Sequence, residues 1–140
     1  MRRIVFDPGV LIAALISAEG PPAEALDRWR EGEFDLVVSP VLLGELERVL
    51  LRRKFRPYVS EGDVRQYVAA LAQEGVVISD PQPSSEPLTE DPKDDYLLSL
   101  ARAAGAEAIV SGDAHLTSLE APEPPVLTPR QFLAELGERA

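Results

Sequence analysis

The chain has no cysteine, and histidine, methionine and tryptophan occur once each in 140 residues. Missing thiols exclude disulfides, thiolate catalysis and cysteine-ligated zinc, and a single histidine excludes a His-rich metal centre. Any metal must therefore be held by oxygen. No apolar run reaches the roughly 18 residues that cross a bilayer. The N-terminus enters an expected strand at once, without the apolar region of a signal peptide. A soluble, cytoplasmic protein without membrane contact is expected. The glycines form neither a GxGxxG nor a GxxxxGK[ST] pattern, which argues against dinucleotide and nucleoside triphosphate binding. No serine stands in a nucleophile context and His115 is expected in solvent, which argues against a catalytic triad. Positive charge is also scarce: 14 Lys and Arg face 24 Asp and Glu, for a net charge of −10. Nonspecific nucleic-acid binding by overall attraction is thereby disfavoured, although local patches of cations still count.

What is present is a regular alternation. With 45% hydrophobic residues, the chain is long enough for one core and too short for two domains, so residues 1–140 are expected to form a single domain. Arg3 to Phe6 reads as a buried strand, Val10 to Ile16 as an apolar helix, and Pro21 to Gly32 as a second helix after Gly20. Phe34 to Val38 is a second strand. Ser39 caps a helix with Pro40 in its first turn, predicted to run to about Lys54. Ser60 to Glu74 is helical, Val76 to Ile78 a third strand, and Asp80 to Glu90 a Pro- and Ser-rich loop. Helix Asp91 to Gly105, strand Glu107 to Val110, helix Ala114 to Leu119, strand Val126-Leu127 and helix Pro129 to Leu136 complete the chain. Strands alternating with amphipathic helices imply a three-layer α/β/α sandwich around a mainly parallel sheet of about five strands. Ligands in such folds bind at the carboxyl ends of the strands.

Four acids from separate segments are expected at that edge: Asp7, Glu45, Asp94 and Asp113. Asp7 before Pro8 is equally suited to cap a helix, and Asp113 after Ser111-Gly112 has the same double reading. Glu45 falls at one margin of its helix's apolar stripe and Glu47 at the other, so periodicity does not choose between them. In the next segment Asp91 is a natural cap before Pro92. Asp94 lies inside the stripe of Leu97, Leu98, Ala101 and Ala104, while Asp95 points outward with Arg102. A core-facing carboxylate is costly unless paired or metal-bound. At the third helical position, however, Asp94 also has the option of reaching back to the cap's amide. Asp91 and Asp95 are the secondary choices as metal ligands. The densest basic cluster, Arg48, Arg52, Arg53, Lys54 and Arg56, follows Glu45 directly. It suits either an RNA backbone or a helix end whose dipole it complements. Trp29, Phe55, Tyr58 and Tyr67 stand at helical spacing among apolar neighbours and are expected in packing rather than base stacking.

These segments resemble the PIN-domain ribonucleases, in particular small bacterial members described as toxins of toxin-antitoxin pairs. Ile4-Val5-Phe6-Asp7 resembles the family's first strand and first acid, and Ser39 to Leu46 its second-acid helix. Asp91-Pro92-Lys93-Asp94-Asp95 resembles the third-acid segment, Val110-Ser111-Gly112-Asp113 the fourth, and Leu127 to Leu133 the terminal strand and helix. One departure stands out: Pro8-Gly9 follow the first acid where the family usually has Thr or Ser and then Asn, groups that help hold the acids or their waters. The resemblance implies an endoribonuclease using Mg2+ or Mn2+ held by Asp7, Glu45, Asp94 and Asp113. It also implies an RNA substrate, an antitoxin partner and a homodimer or higher homo-oligomer. The four carboxylates are then expected within about one coordination sphere of each other, allowing for bridging water, with Asp91 and Asp95 farther out. The alternatives are a catalytically weak or inactive binding module of the same fold, and a receiver-like or phosphoryl-transfer α/β domain.

Overall fold

The computed structural model describes residues 1–82 and 87–138. In chain order the strands are β1 (Arg3–Phe6), β2 (Asp35–Val38), β3 (Val76–Val77), β4 (Ala108–Val110) and β5 (Val126–Leu127). The helices are α1 (Pro8–Ile16), α2 (Pro21–Arg30), α3 (Pro40–Leu50), α4 (Glu61–Glu74), α5 (Pro92–Ala104), α6 (Ala114–Thr117) and α7 (Pro129–Leu136). All strand pairs are parallel and the order across the sheet is β3-β2-β1-β4-β5. Val5 of the central strand pairs with Val37 on one side and Ile109 on the other. Successive strand residues point to opposite faces, yet Ile4, Val5 and Phe6 are all fully buried, as are Ile109 and Val110. Helices therefore cover both faces of the sheet, giving the α/β/α sandwich. The receiver-like alternative fails on topology, because the flavodoxin-like order places β1 between β2 and β3, whereas here β1 lies between β2 and β4.

Three phenylalanines, from β1, from the bend before β2 and from α7, lock one end of the core. Phe6, Phe34 and Phe132 have ring centroids 5.0 to 6.0 Å apart, and Phe132 meets both partners edge-on. Such pairs add about 0.5–1.5 kcal/mol each beyond area burial. Phe132 sits on α7, whose N-terminus carries a capping box made by Thr128 and Gln131. Helix α1 is tied to α4 by Tyr67, whose hydroxyl donates to the Leu11 carbonyl at 2.7 Å. The buried Arg28 is paired with Glu33, and that hydrogen bond holds its guanidinium firmly protonated. No single helix among the described residues is long and apolar enough to cross a membrane.

Several expectations need correction. Helix α3 ends at Leu50 rather than near Lys54, because Arg52 turns to an extended conformation and Arg53–Phe55 form a short 3-10 turn. The Arg56 guanidinium folds back and donates to the Leu50 carbonyl, which closes the helix end. Tyr58 is 64% exposed and belongs to no core, whereas Trp29 and Tyr67 are buried as expected. Of the expected loop from Asp80 to Glu90, residues 83–86 lie outside the described residues.

The passage from α4 into β3 depends on one small residue. A Cβ at Gly75 would lie 2.6 Å from the Leu71 carbonyl oxygen, 3.1 Å from that of Leu36 and 3.2 Å from a Val38 methyl. Backbone atoms form the closest of these contacts, so relief requires displacing the helix end from β2. Gly75→Ala is expected to lower stability by about 1–3 kcal/mol, seen as a lower urea midpoint with an unchanged slope.

Candidate functional site

Strand order reverses between β1 and β4, and in open parallel sheets the crevice at that point, outside the carboxyl ends, is where ligands bind. Asp7 is the first residue after β1 and Ser111 the first after β4. Their amides continue the sheet's pairing, Asp7 to the Val110 carbonyl and Ser111 to that of Leu127, each at 2.9 Å. Asp7 then caps α1, its Oδ1 accepting from the Gly9 amide at 3.0 Å. Its Oδ2 accepts from Ser111 Oγ at 2.7 Å. The fully buried Ser111 also accepts from the Asp113 amide at 3.0 Å, and Asp113 Oδ1 caps α6 through the His115 amide at 2.9 Å. Ser111 thus joins the first and fourth acids. The sequence reading did not single it out, although a hydroxyl next to a strand end and two residues before an acid was the available signal.

Asp7, Glu45, Asp94 and Asp113 line one cavity of about 520 Å3. The structure resolves the ambiguity of α3: Glu45 borders the cavity and Glu47 does not. Glu45 Oε1 lies 3.6 Å from an Arg48 nitrogen and 3.7 Å from Lys93 Nζ, both exposed pairings of little energetic weight. Lys93 is a cavity-lining cation that the sequence reading did not identify. Asp94 is only 4% exposed, and its buried Oδ2 has no hydrogen-bond partner among the described residues. The capping-box role is closed to it, because the Asp91 amide is taken by Thr89 Oγ1 at 3.2 Å. Burial raises the Asp94 pKa, the charges of Asp91 and Asp113 raise it further, and His115 opposes them by more than Asp7 adds.

Asp95 turns away and accepts from the Thr89 amide. Asp91 caps α5 through the Lys93 amide at 2.9 Å but also borders the cavity, nearer than the sequence reading placed it. The cavity is ringed by the first turns of α1, α3 and α5, represented by Pro8 and Gly9, Val41 and Leu42, and Pro92 and Lys93. The partial positive charge of these helix ends stabilises carboxylates and incoming phosphates alike.

Among the described residues, no three acidic or histidine side chains are grouped closely enough to hold a metal ion as they stand. The expected close cluster is thus not preformed among the described residues, although the four carboxylates line one cavity. Asp7 is held by Ser111 and the Gly9 amide, Asp113 by the His115 amide, and Glu45 lies toward two cations. The donors nonetheless suit a hard divalent cation, being all oxygen and including one buried carboxylate oxygen left without a partner.

Of the basic cluster, Arg48, Arg52, Arg53 and Lys54 are exposed. Arg56 is half-buried and engaged at the end of α3, so it contributes to helix closure rather than to an open surface. His115 is exposed, as expected.

A fold with this switch point and four acids around it defines a class of protein, and comparison with known families agrees. A PIN domain family model matches residues 3–115, and the chain belongs to the PIN domain family. The uncharacterized protein MJ1680 of Methanocaldococcus jannaschii is 30% identical over 118 residues, which is 84% of this chain and 74% of that protein. The fold is similar to that of PAE2754 from Pyrobaculum aerophilum, with a TM-score of 0.67 and 14% identity over 99% of this chain and 91% of that one. It is also similar to VapBC2 from Rickettsia felis bound to a DNA fragment from their promoter, with a TM-score of 0.64 and 12% identity over 90% and 98% of the two chains.

Because the folded state binds the Asp94 proton more tightly than the unfolded chain does, stability falls as pH rises from the ordinary carboxylate range through the raised value. Asp94→Asn removes that loss. In EDTA the variant is expected to melt roughly 3–5 °C above the parent at pH 7, a shift on the order of 1 kcal/mol, with the difference vanishing near pH 3. Equal melting temperatures across that range would show that the carboxylate is not destabilised.

Proposed function

We propose that the chain is a divalent-metal-dependent endoribonuclease, the toxin of a toxin-antitoxin pair, with Mg2+ or Mn2+ held by Asp7, Glu45, Asp94 and Asp113. The observation that carries this reading is the buried Asp94, which lines a cavity shared with three other acids and whose Oδ2 has no hydrogen-bond partner among the described residues. A carboxylate kept in that state costs stability unless a cation or proton compensates it. A hard divalent cation supplies Lewis acidity toward phosphate oxygens and water and offsets negative charge in the transition state.

The chain's own groups have separable tasks. Ser111 holds Asp7 in one orientation by donating to its Oδ2, leaving Oδ1 on the Gly9 amide. Asp94 keeps one oxygen free of protein donors. Lys93 and Arg48 temper the charge of Glu45 and stand where an RNA phosphate would approach. The first turns of α1, α3 and α5 add a positive field at the same place. Arg52, Arg53 and Lys54 extend cationic surface beyond the end of α3. The antitoxin partner is inferred from the motif resemblance, and VapBC2 shares the fold. Cytoplasmic location and self-assembly are part of the same proposal.

A second reading is favoured by Pro8 and Gly9, which border the cavity where relatives place polar groups: a PIN domain that binds RNA with little turnover. One experiment separates the two. Under the nuclease reading, Asp7→Asn abolishes RNA cleavage in Mg2+ or Mn2+ while the variant stays folded in EDTA, the relieved repulsion offsetting the one hydrogen bond that the amide cannot accept. Cleavage by the variant at the parental rate sinks the four-acid mechanism. An inactive parent that still binds RNA establishes the binding module.

The basic surface has its own test. Replacing Arg52 and Arg53 together by Gln is expected to weaken binding of a noncleavable RNA about tenfold and to flatten its salt dependence, as counterion release requires. Metal affinity should be unchanged. A variant with parental RNA affinity and salt slope, but a changed oligomeric state, reassigns the surface to assembly.

A further inference from the structure

Glu45 and Asp94 sit on different helices, α3 and α5, and a chain of buried polar groups joins those helices beside the cavity. Tyr96, two residues beyond Asp94, places its hydroxyl 2.5 Å from Ser39 Oγ and donates to Asp80 Oδ1. Asp80 Oδ2 accepts from the Val41 amide at 3.1 Å, and Ser39 Oγ accepts from the Leu42 amide at 3.2 Å. The carboxylate can only accept, so the Tyr96 proton goes to Asp80, while the single Ser39 proton is shared between Tyr96 Oη and the Asp80 carboxylate and a Ser39 lone pair accepts from Leu42. Ser39 is fully buried and the other two half-buried. Burial works against the Asp80 charge, but hydrogen bonds from Tyr96, Ser39 and Val41 outweigh it and hold the carboxyl below its ordinary value. Burial and the bond to Asp80 push the Tyr96 phenol up, so it keeps its proton.

The N-terminus of α3 already has a local cap in Ser39 and a proline at its first position. Asp80 is a second cap, brought from 39 residues away, and helix formation alone does not call for it. What it adds is a fixed relation between the first turn of α3 and Tyr96 of α5. We propose that Tyr96 and Asp80, acting through Ser39, are positioning residues that set Glu45 and Asp94 against one another across the acidic cavity. The claim rests on the nuclease reading of that cavity. It concerns residues that need not touch metal or RNA themselves, as outer hydrogen-bond partners commonly orient the groups that do.

Tyr96→Phe removes one oxygen and keeps the ring. The probe is Mn2+ alone, titrated calorimetrically into the full chain, with kcat and KM for RNA and the melting temperature in EDTA measured beside it. Mn2+ affinity is expected to fall about tenfold, within the range usual for such partners. The kcat should fall by a similar factor while KM stays within about twofold. Asp80→Asn keeps one side-chain oxygen, enough for Tyr96 or Val41 but not both, and should lose part of the affinity, less than Asp80→Ala loses. Combining Tyr96→Phe with Asp80→Ala should lose little more than Asp80→Ala alone, because the groups act as a unit. Parental Mn2+ affinity and kcat in Tyr96→Phe, with only the melting temperature lowered, overturn the proposal and leave the network a fold stabiliser. A parent that binds Mn2+ but cleaves no RNA refutes the nuclease reading instead, and the affinity comparison still decides the positioning claim. A parent that binds no Mn2+ overturns both.

Discussion

Carboxylates repel one another, and the carboxyl edge of this sheet gathers Asp7, Glu45, Asp91, Asp94 and Asp113 around one cavity. That repulsion is the constraint to which much of the local structure responds. At contact distance two unit charges interact by about 1 kcal/mol in water and several times more in a partly buried setting. The chain offsets this with groups that leave the cavity open. Asp7, Asp91 and Asp113 each cap a helix and are stabilised by backbone amides. Glu45 has two cations nearby. Among the described residues Asp94 receives no such compensation at its buried Oδ2, and burial together with the neighbouring charges raises its pKa.

Holding these charges together requires a rigid frame. The central strand β1 is fully buried from Ile4 to Phe6 and paired on both sides, so Asp7 leaves the sheet with no freedom to withdraw. The continued pairing of Asp7 with Val110 and of Ser111 with Leu127 carries that rigidity into the site. Helix α5 packs on β1 and β4 and turns its apolar stripe inward, which forces Asp94 to the cavity side. Hydrophobic burial, worth roughly 25 cal/mol per Å2, thus fixes the position of a group that is itself unfavourable there.

How much of this was legible in the sequence follows from which interactions are local. Strands β1, β2 and β4 were readable because continuous β-branched or aromatic runs bounded by caps have few other solutions. Asp94 was readable because its place in the α5 stripe is a matter of angle. Glu45 and Glu47 were not separable, since both lie at stripe margins and only the packing of α3 against its neighbours decides. The early end of α3 was hidden for a similar reason: the closing group is the Arg56 side chain, six residues from the carbonyl it caps. Ser111 and the Tyr96-Asp80-Ser39 network escaped notice because their partners lie 104, 57 and 16 residues away. The individual hydrogen-bond partners of the acids, which set where each carboxylate points, were not legible from the sequence.

The departure at Pro8-Gly9 takes on a physical meaning in this setting. In the relatives that the chain resembles, a hydroxyl and an amide after the first acid help hold the cluster. Here Asp7 Oδ2 accepts from Ser111, across the strand pair β1-β4, and Oδ1 is held by the Gly9 backbone. Neither bond needs a side chain at position 8 or 9. Glycine is not imposed by crowding either, since a Cβ at Gly9 would meet nothing nearer than Asp7 Oδ1 at 3.8 Å, an ordinary contact. Proline at the first position of α1 supplies a fixed φ and omits an amide that the helix does not use. Proline thus fixes the entry into α1, while the Gly9 amide and the strand-end Ser111 together hold the first acid without a polar side chain at position 8 or 9.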